Sequence, residues 1–211
     1  MITAVMGECY GMPTWMAFAM KLAAKQVQLA ACPYVSEESK SKLEESSAPP
    51  IRLITLKGEG TEQKAGNEIC LFRHEKTFYN RPGIFIRVKA SENNIVDSVA
   101  QADGYRVSYV GTDYGVSGFA VEADGTAEAF SAAVKAVRSA TKLPILLVSR
   151  EADVLAAGAD ALPGETPLLC WADAENSEAV AALAAKTKLP VVVRSDSIDG
   201  LAALTEGFKA M

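Results

Sequence analysis

The sequence has 211 residues, of which 49% are hydrophobic and 22% are charged, and its formal net charge is −5. The apolar fraction is large enough to build a core, which excludes a fully disordered chain. The acidic balance without a basic cluster argues against a nucleic-acid partner, and a single histidine, His74, excludes sites that need two histidines.

The N-terminal fifty residues predict two helices. Thr14 follows a Gly- and Pro-containing stretch and can cap a helix that runs to about residue 30, because its oxygen accepts a hydrogen bond from a first-turn N–H group. This stretch includes Lys21 and Lys25, which indicates an amphipathic helix rather than a signal or a membrane-spanning segment. A short charged helix begins at residues 36–38 and ends before Pro49.

The four cysteines bear on the cellular compartment. They are far apart and form no Cys-x-x-Cys pair, and a chain of this size rarely depends on disulfides. We therefore expect a cytoplasmic protein with reduced thiols at Cys9, Cys32, Cys70 and Cys170.

Alternating apolar residues at 51–56 predict a strand, and residues 67–72 are predicted to be its partner after a turn at 58–66. We assign residues 1–66 to a small N-terminal module and residues 67–211 to a second domain.

The second domain alternates predicted strands and helices. Its apolar, β-branched runs are typical of a parallel sheet that is buried on both faces, and the connections fit right-handed βαβ crossovers. The predicted strands are 84–88, 117–121, 145–148, 168–171 and 191–194, and the predicted helices are 95–101, 126–140, 151–157, 177–186 and 199–210. Residues 106–110 are predicted to be extended, either as a sixth strand or only as a connection.

An internal repeat supports this interpretation. Residues 141–144 and 187–190 both read Thr-Lys-Leu-Pro, and each follows an Ala-rich helix and precedes an apolar strand. The lysine suits a helix C-terminus and the proline ends the helix. Convergence of helix-to-strand junctions on the same chemistry is an alternative explanation.

The strand count predicts the architecture. Five parallel strands are fewer than the eight of a closed (β/α) barrel, so the fold class is α/β, with either a partial TIM-type barrel or an open parallel sheet. Such a sheet has two strand edges, and we expect a protein partner or self-association to cover them.

Several segments resemble a known family. They are Gly11-Met12-Pro13-Thr14-Trp15, Cys32-Pro33-Tyr34, Ser47-Ala48-Pro49-Pro50 and Leu71-Phe72-Arg73-His74-Glu75-Lys76-Thr77-Phe78. In order and approximate spacing they are similar to the large subunit of the corrinoid iron-sulfur protein, called the gamma subunit of acetyl-CoA decarbonylase/synthase in archaea.

The resemblance implies an N-terminal [4Fe-4S] module, a (β/α)8 barrel and a C-terminal cobamide domain. It also implies a role in carrying a methyl group during acetyl-CoA synthesis. The chain would stop near the middle of that barrel, so we expect no cobamide site in it.

The cluster motif of the family, Cys-x2-Cys-Gly-x-Pro-Thr-Cys, is degenerate in this sequence. Gly7, Tyr10 and Trp15 stand where the first three cysteines would be, and Cys32 matches the fourth. Cys9 reaches the motif only if one residue is inserted. Because a cubane cluster needs four ligands, we expect no cofactor and no metal in this chain, and we expect Tyr10 and Trp15 to fill the space as apolar core.

The predicted interaction site is the charged run Arg73, His74, Glu75 and Lys76. It suits a protein interface or a charged turn, and an anion or carboxylate is the alternative ligand. We predict a non-catalytic interaction or assembly component linked to methyl transfer. The alternative is an iron-sulfur or metal-binding redox subunit that uses Cys9 and Cys32, with Cys70 or a second chain.

Three further pairs of residues have both a functional and a structural interpretation. Asp103 and Asp113 lie in Gly-containing loops that suit plain turns better than a cation site. Cys170 and Trp171 end a strand, where barrel enzymes place their sites, although a buried cysteine more often only packs. Ser149 and Ser195 are predicted to cap the helices that follow them.

Overall fold

The computed structural model describes Met20, residues 51–67 and residues 80–210, with only the backbone at 209–210. Met20 is helical. The rest of the two predicted N-terminal helices, Cys9, Cys32 and Cys70 lie outside the described residues. The charged run at 73–76 also lies outside them.

The described elements alternate as the sequence predicts from residue 85 onward. The strands are β1 (Ile54–Lys57), β2 (Glu62–Ala65), β3 (Phe85–Lys89), β4 (Val107–Tyr109), β5 (Thr112–Tyr114), β6 (Gly118–Glu122), β7 (Ile145–Val148), β8 (Leu168–Ala172) and β9 (Val191–Val193). The helices are α1 (Ile95–Gly104), α2 (Ala127–Ala140), α3 (Ala152–Asp160), α4 (Ser177–Thr187) and α5 (Ile198–Ala210).

Five strands form one parallel sheet in the order β3-β6-β7-β8-β9, which is also their order along the chain. Each neighbouring pair of strands is joined through a helix, from α1 between β3 and β6 to α4 between β8 and β9. This sequential winding is that of a (β/α) barrel segment, so the predicted α/β class with a partial barrel is confirmed.

The core lies between the sheet and its helices. Phe119, Leu147 and Leu169 are completely buried on the helix side, where they meet Phe130 and Val137 of α2. Helix α2 starts where the sequence predicts, because the Thr126 side chain accepts a hydrogen bond from the Ala129 N–H at 3.3 Å.

The opposite side of the sheet is less buried. Since side chains alternate along a strand, the residues between the core positions point away from the helices. We call the large apolar side chains on this side the open face, and they are half-buried or exposed: Leu146, Val148, Leu168, Cys170 and Val192. The small Ala120 beside Leu146 is buried.

The Thr-Lys-Leu-Pro repeat occupies equivalent junctions. The Pro144 carbonyl accepts a hydrogen bond from the Phe119 N–H at 3.1 Å, and the Pro190 carbonyl accepts one from the Leu169 N–H at 2.9 Å. Each proline therefore connects the strand that follows it to the neighbouring strand of the sheet. The proline lacks an N–H group, but this hydrogen bond uses only its carbonyl.

The first strand has a partner inside the stretch that was predicted to be only a turn. β1 pairs with β2, in residues 62–65, whereas the predicted partner at 67–72 lies outside the described residues except for Asn67. Gly60, at φ 87°, allows a tight turn closed by a 2.9 Å hydrogen bond from the Gly58 N–H to the Thr61 carbonyl. Asn67, at φ 63°, follows the end of β2.

The β1–β2 hairpin contacts the entry of β7 and β8. The Thr61 hydroxyl donates to the Lys142 carbonyl at 2.7 Å, and Lys57 exchanges backbone hydrogen bonds with Thr166. The compact unit begins at Leu53. The predicted domain boundary after residue 66 stays a prediction.

The segment predicted as an extended connection at 106–110 forms a second hairpin, β4–β5. Tyr105, Tyr109 and Tyr114 are exposed there, and the Arg81 guanidinium stacks on the Tyr114 ring at 4.4 Å. Across the described ranges, 51–67 and 80–210, no helix is both long and apolar enough to cross a membrane.

Candidate functional site

The carboxyl ends of β7, β8 and β9 surround a pocket of about 400 Å³. Parallel β/α units place their functional side chains at this end of the strands. The pocket is lined by residues from the end of β8 and from the three loops that follow these strands, most of which are polar or charged: Arg150, Trp171, Asp173, Ala174, Glu175, Arg194, Ser195, Asp196 and Ser197.

Arg150 joins the first two loops by ion pairs. One guanidinium nitrogen, Nη2, lies 3.0 Å from Asp173 Oδ2 and 2.7 Å from Glu175 Oε2. Burial works against ionisation of Asp173, but the Glu175 N–H, the Arg150 guanidinium and the Trp171 indole N–H together hold the pKa of Asp173 below its ordinary value. Asp173 is therefore a fixed anion at neutral pH.

Asn176 fixes the same loops through its amide. Its Nδ2 donates to the Arg150 carbonyl at 2.7 Å and to the Trp171 carbonyl at 3.1 Å, and its Oδ1 accepts from the Asp173 N–H at 2.7 Å. Although Asn176 immediately precedes α4, its side chain makes no capping hydrogen bond. Its amide serves the loops instead.

Trp171 connects the third loop to this network. Its indole N–H donates to Asp173 at 3.3 Å, and the Arg194 guanidinium lies over its ring at 5.2 Å. A cation over an indole face is attracted by the ring quadrupole, so Trp171 positions Arg194 at the pocket.

The predicted caps at Ser149 and Ser195 were wrong. Each serine oxygen accepts a hydrogen bond from the N–H two residues later, at Glu151 and Ser197, which closes a local turn. The residue that caps α5 is Ser197, whose oxygen accepts from the Gly200 N–H at 3.1 Å. Whether a serine before a helix closes a turn or caps the helix depends on how many residues separate it from the first helical residue. The sequence alone did not fix that number.

The two aspartates weighed as a cation site have separate surroundings. Asp103 ends α1 and accepts a 2.8 Å hydrogen bond from the Thr141 hydroxyl, while Asp113 lies in the exposed β5. In residues 51–67 and 80–210 no group of three or more His, Cys, Asp or Glu side chains could hold a metal ion. The predicted interaction site in the charged run at 73–76 lies outside the described residues, so it stays a prediction.

Cys170 lies on the open face, beside the pocket residue Trp171. Burial raises the pKa of its thiol to about 11. At neutral pH it is therefore a thiol rather than the nucleophilic thiolate.

We expect iodoacetamide to label Cys170 in the folded chain at pH 8 about a hundredfold more slowly than in the unfolded chain. The reason is that the thiolate fraction falls about tenfold for each unit by which the pKa of the thiol rises. Mass spectrometry of the peptide that contains Cys170, with and without urea, measures the ratio. Equal labelling rates in the two states would show an ordinary thiol.

Sequence reasoning identified Trp171 but missed Arg150, Asp173, Asn176 and Arg194. All four lie within a few residues of the carboxyl end of a predicted strand, and this position was the signal that could have found them. As a group, the described residues of the pocket offer fixed charges and hydrogen bonds rather than a nucleophile paired with a base.

Comparisons with known proteins agree with the resemblance seen in the sequence. The family model of the CO dehydrogenase/acetyl-CoA synthase delta subunit matches residues 54–211. The chain is 38% identical over 177 residues to the corrinoid/iron-sulfur protein large subunit of Moorella thermoacetica. It is 36% identical over 178 residues to acetyl-CoA decarbonylase/synthase complex subunit gamma 2 of Methanosarcina mazei.

These alignments cover most of this chain but less than half of each relative. They include 82% and 81% of this chain but 39% and 38% of the two relatives. The chain thus spans about two fifths of the length of the curated relatives that it matches.

Proposed function

The chain belongs to the CO dehydrogenase/acetyl-CoA synthase delta subunit family, and from this membership we propose that it is a non-catalytic assembly component of a methyl-transfer system for acetyl-CoA synthesis. Two of its relatives support this assignment to acetyl-CoA synthesis, because one is a corrinoid/iron-sulfur protein large subunit and another is a subunit of an acetyl-CoA decarbonylase/synthase complex. Its role there is to associate with other subunits through its parallel sheet.

The observation that carries this proposal is the open face. Parallel sheets are normally buried on both sides, but here only the helix side carries fully buried residues such as Phe119 and Leu147. The described residues provide five parallel strands, whereas a closed barrel of this type has eight. The open face therefore suits a contact with another subunit.

The two edge strands of the sheet differ in character. β3 carries Arg87 and Lys89, and charged side chains protect an edge against pairing. β9 consists of three valines, residues 191–193, and offers no such protection. We assign the docking contact to the part of the open face next to β9.

A matched pair of substitutions tests this contact. Val192→Lys places a charge on the open face beside β9, whereas Val96→Lys places one on the outer surface of α1; the two valines are 38% and 42% exposed. We expect Val192→Lys to weaken association with the other subunits of the complex about tenfold or more, because a lysine buried in an apolar contact lacks a partner. Val96→Lys should have no effect.

Gel filtration with light scattering measures the association, first on the chain alone and then on mixtures with purified acetyl-CoA decarbonylase/synthase subunits. Circular dichroism checks that both variants are folded. A stable monomer that binds none of the subunits would contradict the proposal, as would an equal loss in both variants.

The proposal includes no cofactor in this chain. A cubane cluster requires four ligands, and Gly7, Tyr10 and Trp15 stand at three of the family positions. The donor set does not fit a cluster, so no step is assigned to one. The second candidate, a redox subunit, depends on Cys9 and Cys32; iron bound to anaerobically purified protein, with visible charge-transfer absorption, would favour it.

A further inference from the structure

The pocket at the carboxyl ends of β7, β8 and β9 holds two guanidinium groups in different states. Arg150 is neutralised by Asp173 and Glu175, at 3.0 and 2.7 Å. Arg194 is exposed and stacked on Trp171, and it forms no ion pair with any described residue. Stacking occupies the flat side of a guanidinium and leaves its in-plane N–H donors available for a planar acceptor.

Two hydroxyl groups lie in the same loop as Arg194. Ser195 Oγ accepts from the Ser197 N–H at 3.4 Å, and Ser197 Oγ accepts from the Gly200 N–H at 3.1 Å. Neither hydroxyl donates to an acceptor within the described part of the chain. Because a hydroxyl carries one donor besides its acceptor capacity, both can donate into the pocket.

We propose that Arg194, Ser195 and Ser197 bind the oxyanion group of a small molecule, a single phosphate or carboxylate, in this pocket. A guanidinium fork with hydroxyl donors matches the acceptor geometry of both groups. The pocket volume of about 400 Å³ suits a small molecule. This site shares no residue with the open face, and the proposal does not depend on the assembly role.

The carboxylates of the pocket limit which anionic ligands it can accept. Asp173 and Glu175 already pair with Arg150, whereas Asp196 lies in the Arg194 loop without an ion-pair partner among the described residues. A carboxylate beside the site repels every negative group on a ligand, so the penalty grows with the number of charges that the ligand carries. The site therefore selects one oxyanion group and discriminates against di- and triphosphates.

Trp171 provides the readout, because Arg194 covers its ring. The chain has two tryptophans, and Trp15→Phe leaves Trp171 as the only indole. Inorganic phosphate and acetate are titrated separately at constant ionic strength, and Trp171 fluorescence is recorded. Calorimetry on the unsubstituted chain with the same two anions keeps the test independent of the Trp15 variant.

The proposal predicts a saturable response to at least one anion, and the anion that responds identifies the group. Arg194→Gln should weaken that binding about tenfold or more, the usual value of a charge-assisted hydrogen bond. Arg87→Gln makes the same change on β3, at the opposite edge of the sheet, and it should leave anion binding unchanged. No saturable response to either anion, or equal binding by both variants, would overturn the proposal.

Discussion

Replacing Arg138 with alanine is expected to lower the free energy of unfolding by about 3–5 kcal/mol, the cost of breaking a buried ion pair from one side. The Arg138 and Glu165 side chains are 14% and 12% exposed, and Nη2 lies 2.7 Å from Oε2. Arg138 also donates to the Thr141 and Leu143 carbonyls at 2.8 and 3.0 Å. One side chain therefore joins the end of α2, the entry to β7 and the loop before β8.

Two controls distinguish the ion pair from a general sensitivity to substitution. Arg106→Ala removes an arginine that is 51% exposed and lies 3.8 Å from Asp103, and it should cost less than about 1 kcal/mol. The double variant Arg138→Met with Glu165→Leu removes both charges, and it should recover the part of the loss that comes from the unpaired Glu165, since apolar residues of similar volume replace buried pairs at little cost. The hydrogen bonds to the Thr141 and Leu143 carbonyls stay lost in both variants. Urea unfolding followed by circular dichroism measures all three.

The pH dependence gives a further check on the same pair. Burial raises the pKa of Glu165 despite the opposing effect of Arg138, and removal of Arg138 leaves burial unopposed. The folded variant then binds a proton that the unfolded chain releases, so its stability is highest below the unfolded pKa and falls as pH rises towards the folded pKa. The deficit of Arg138→Ala should be larger at pH 8 than at pH 5, and a deficit independent of pH would contradict this account.

The parallel sheet could be predicted from the sequence because its signals are local. β7 matches its predicted range, residues 145–148, since an apolar run there is bounded by Pro144 and by polar residues. β2 was missed because its sequence, Glu-Gln-Lys-Ala, has no apolar alternation, and backbone pairing with β1 decides its structure. The sequence did not distinguish β4 from an extended connection, because β4 and its partner β5 have only three residues each, which is too short for a clear strand pattern.

The pocket could not be predicted in the same way, because its contacts join residues that are distant in the chain. Asn176 meets Arg150 across a separation of 26 residues, and only the register of β7 against β8 brings them together. The repeat at 141–144 and 187–190 marked the opposite end of the strands. Sequence reasoning thus located the strand ends but had no means to show which side chains meet there.

Asn176→Ala is expected to destabilise the fold by about 2–3 kcal/mol, because it removes three hydrogen bonds of about 1 kcal/mol each from a half-buried position. The loss should also appear locally as faster hydrogen exchange at the Asp173 N–H, which then has no acceptor. Substitution by aspartate should not rescue stability, since a carboxylate cannot donate to the Arg150 and Trp171 carbonyls.

Asn94→Ala is the matched control for this substitution. Asn94 precedes α1 as Asn176 precedes α4, with a similar backbone conformation, φ −108° against −118°, and neither side chain caps its helix. Asn94 is exposed and its side chain forms no hydrogen bond within the described residues, so its loss should change stability by less than about 0.5 kcal/mol. Equal effects of the two alanine variants in urea unfolding would show that the position before the helix matters, and that the amide does not hold the pocket loops together.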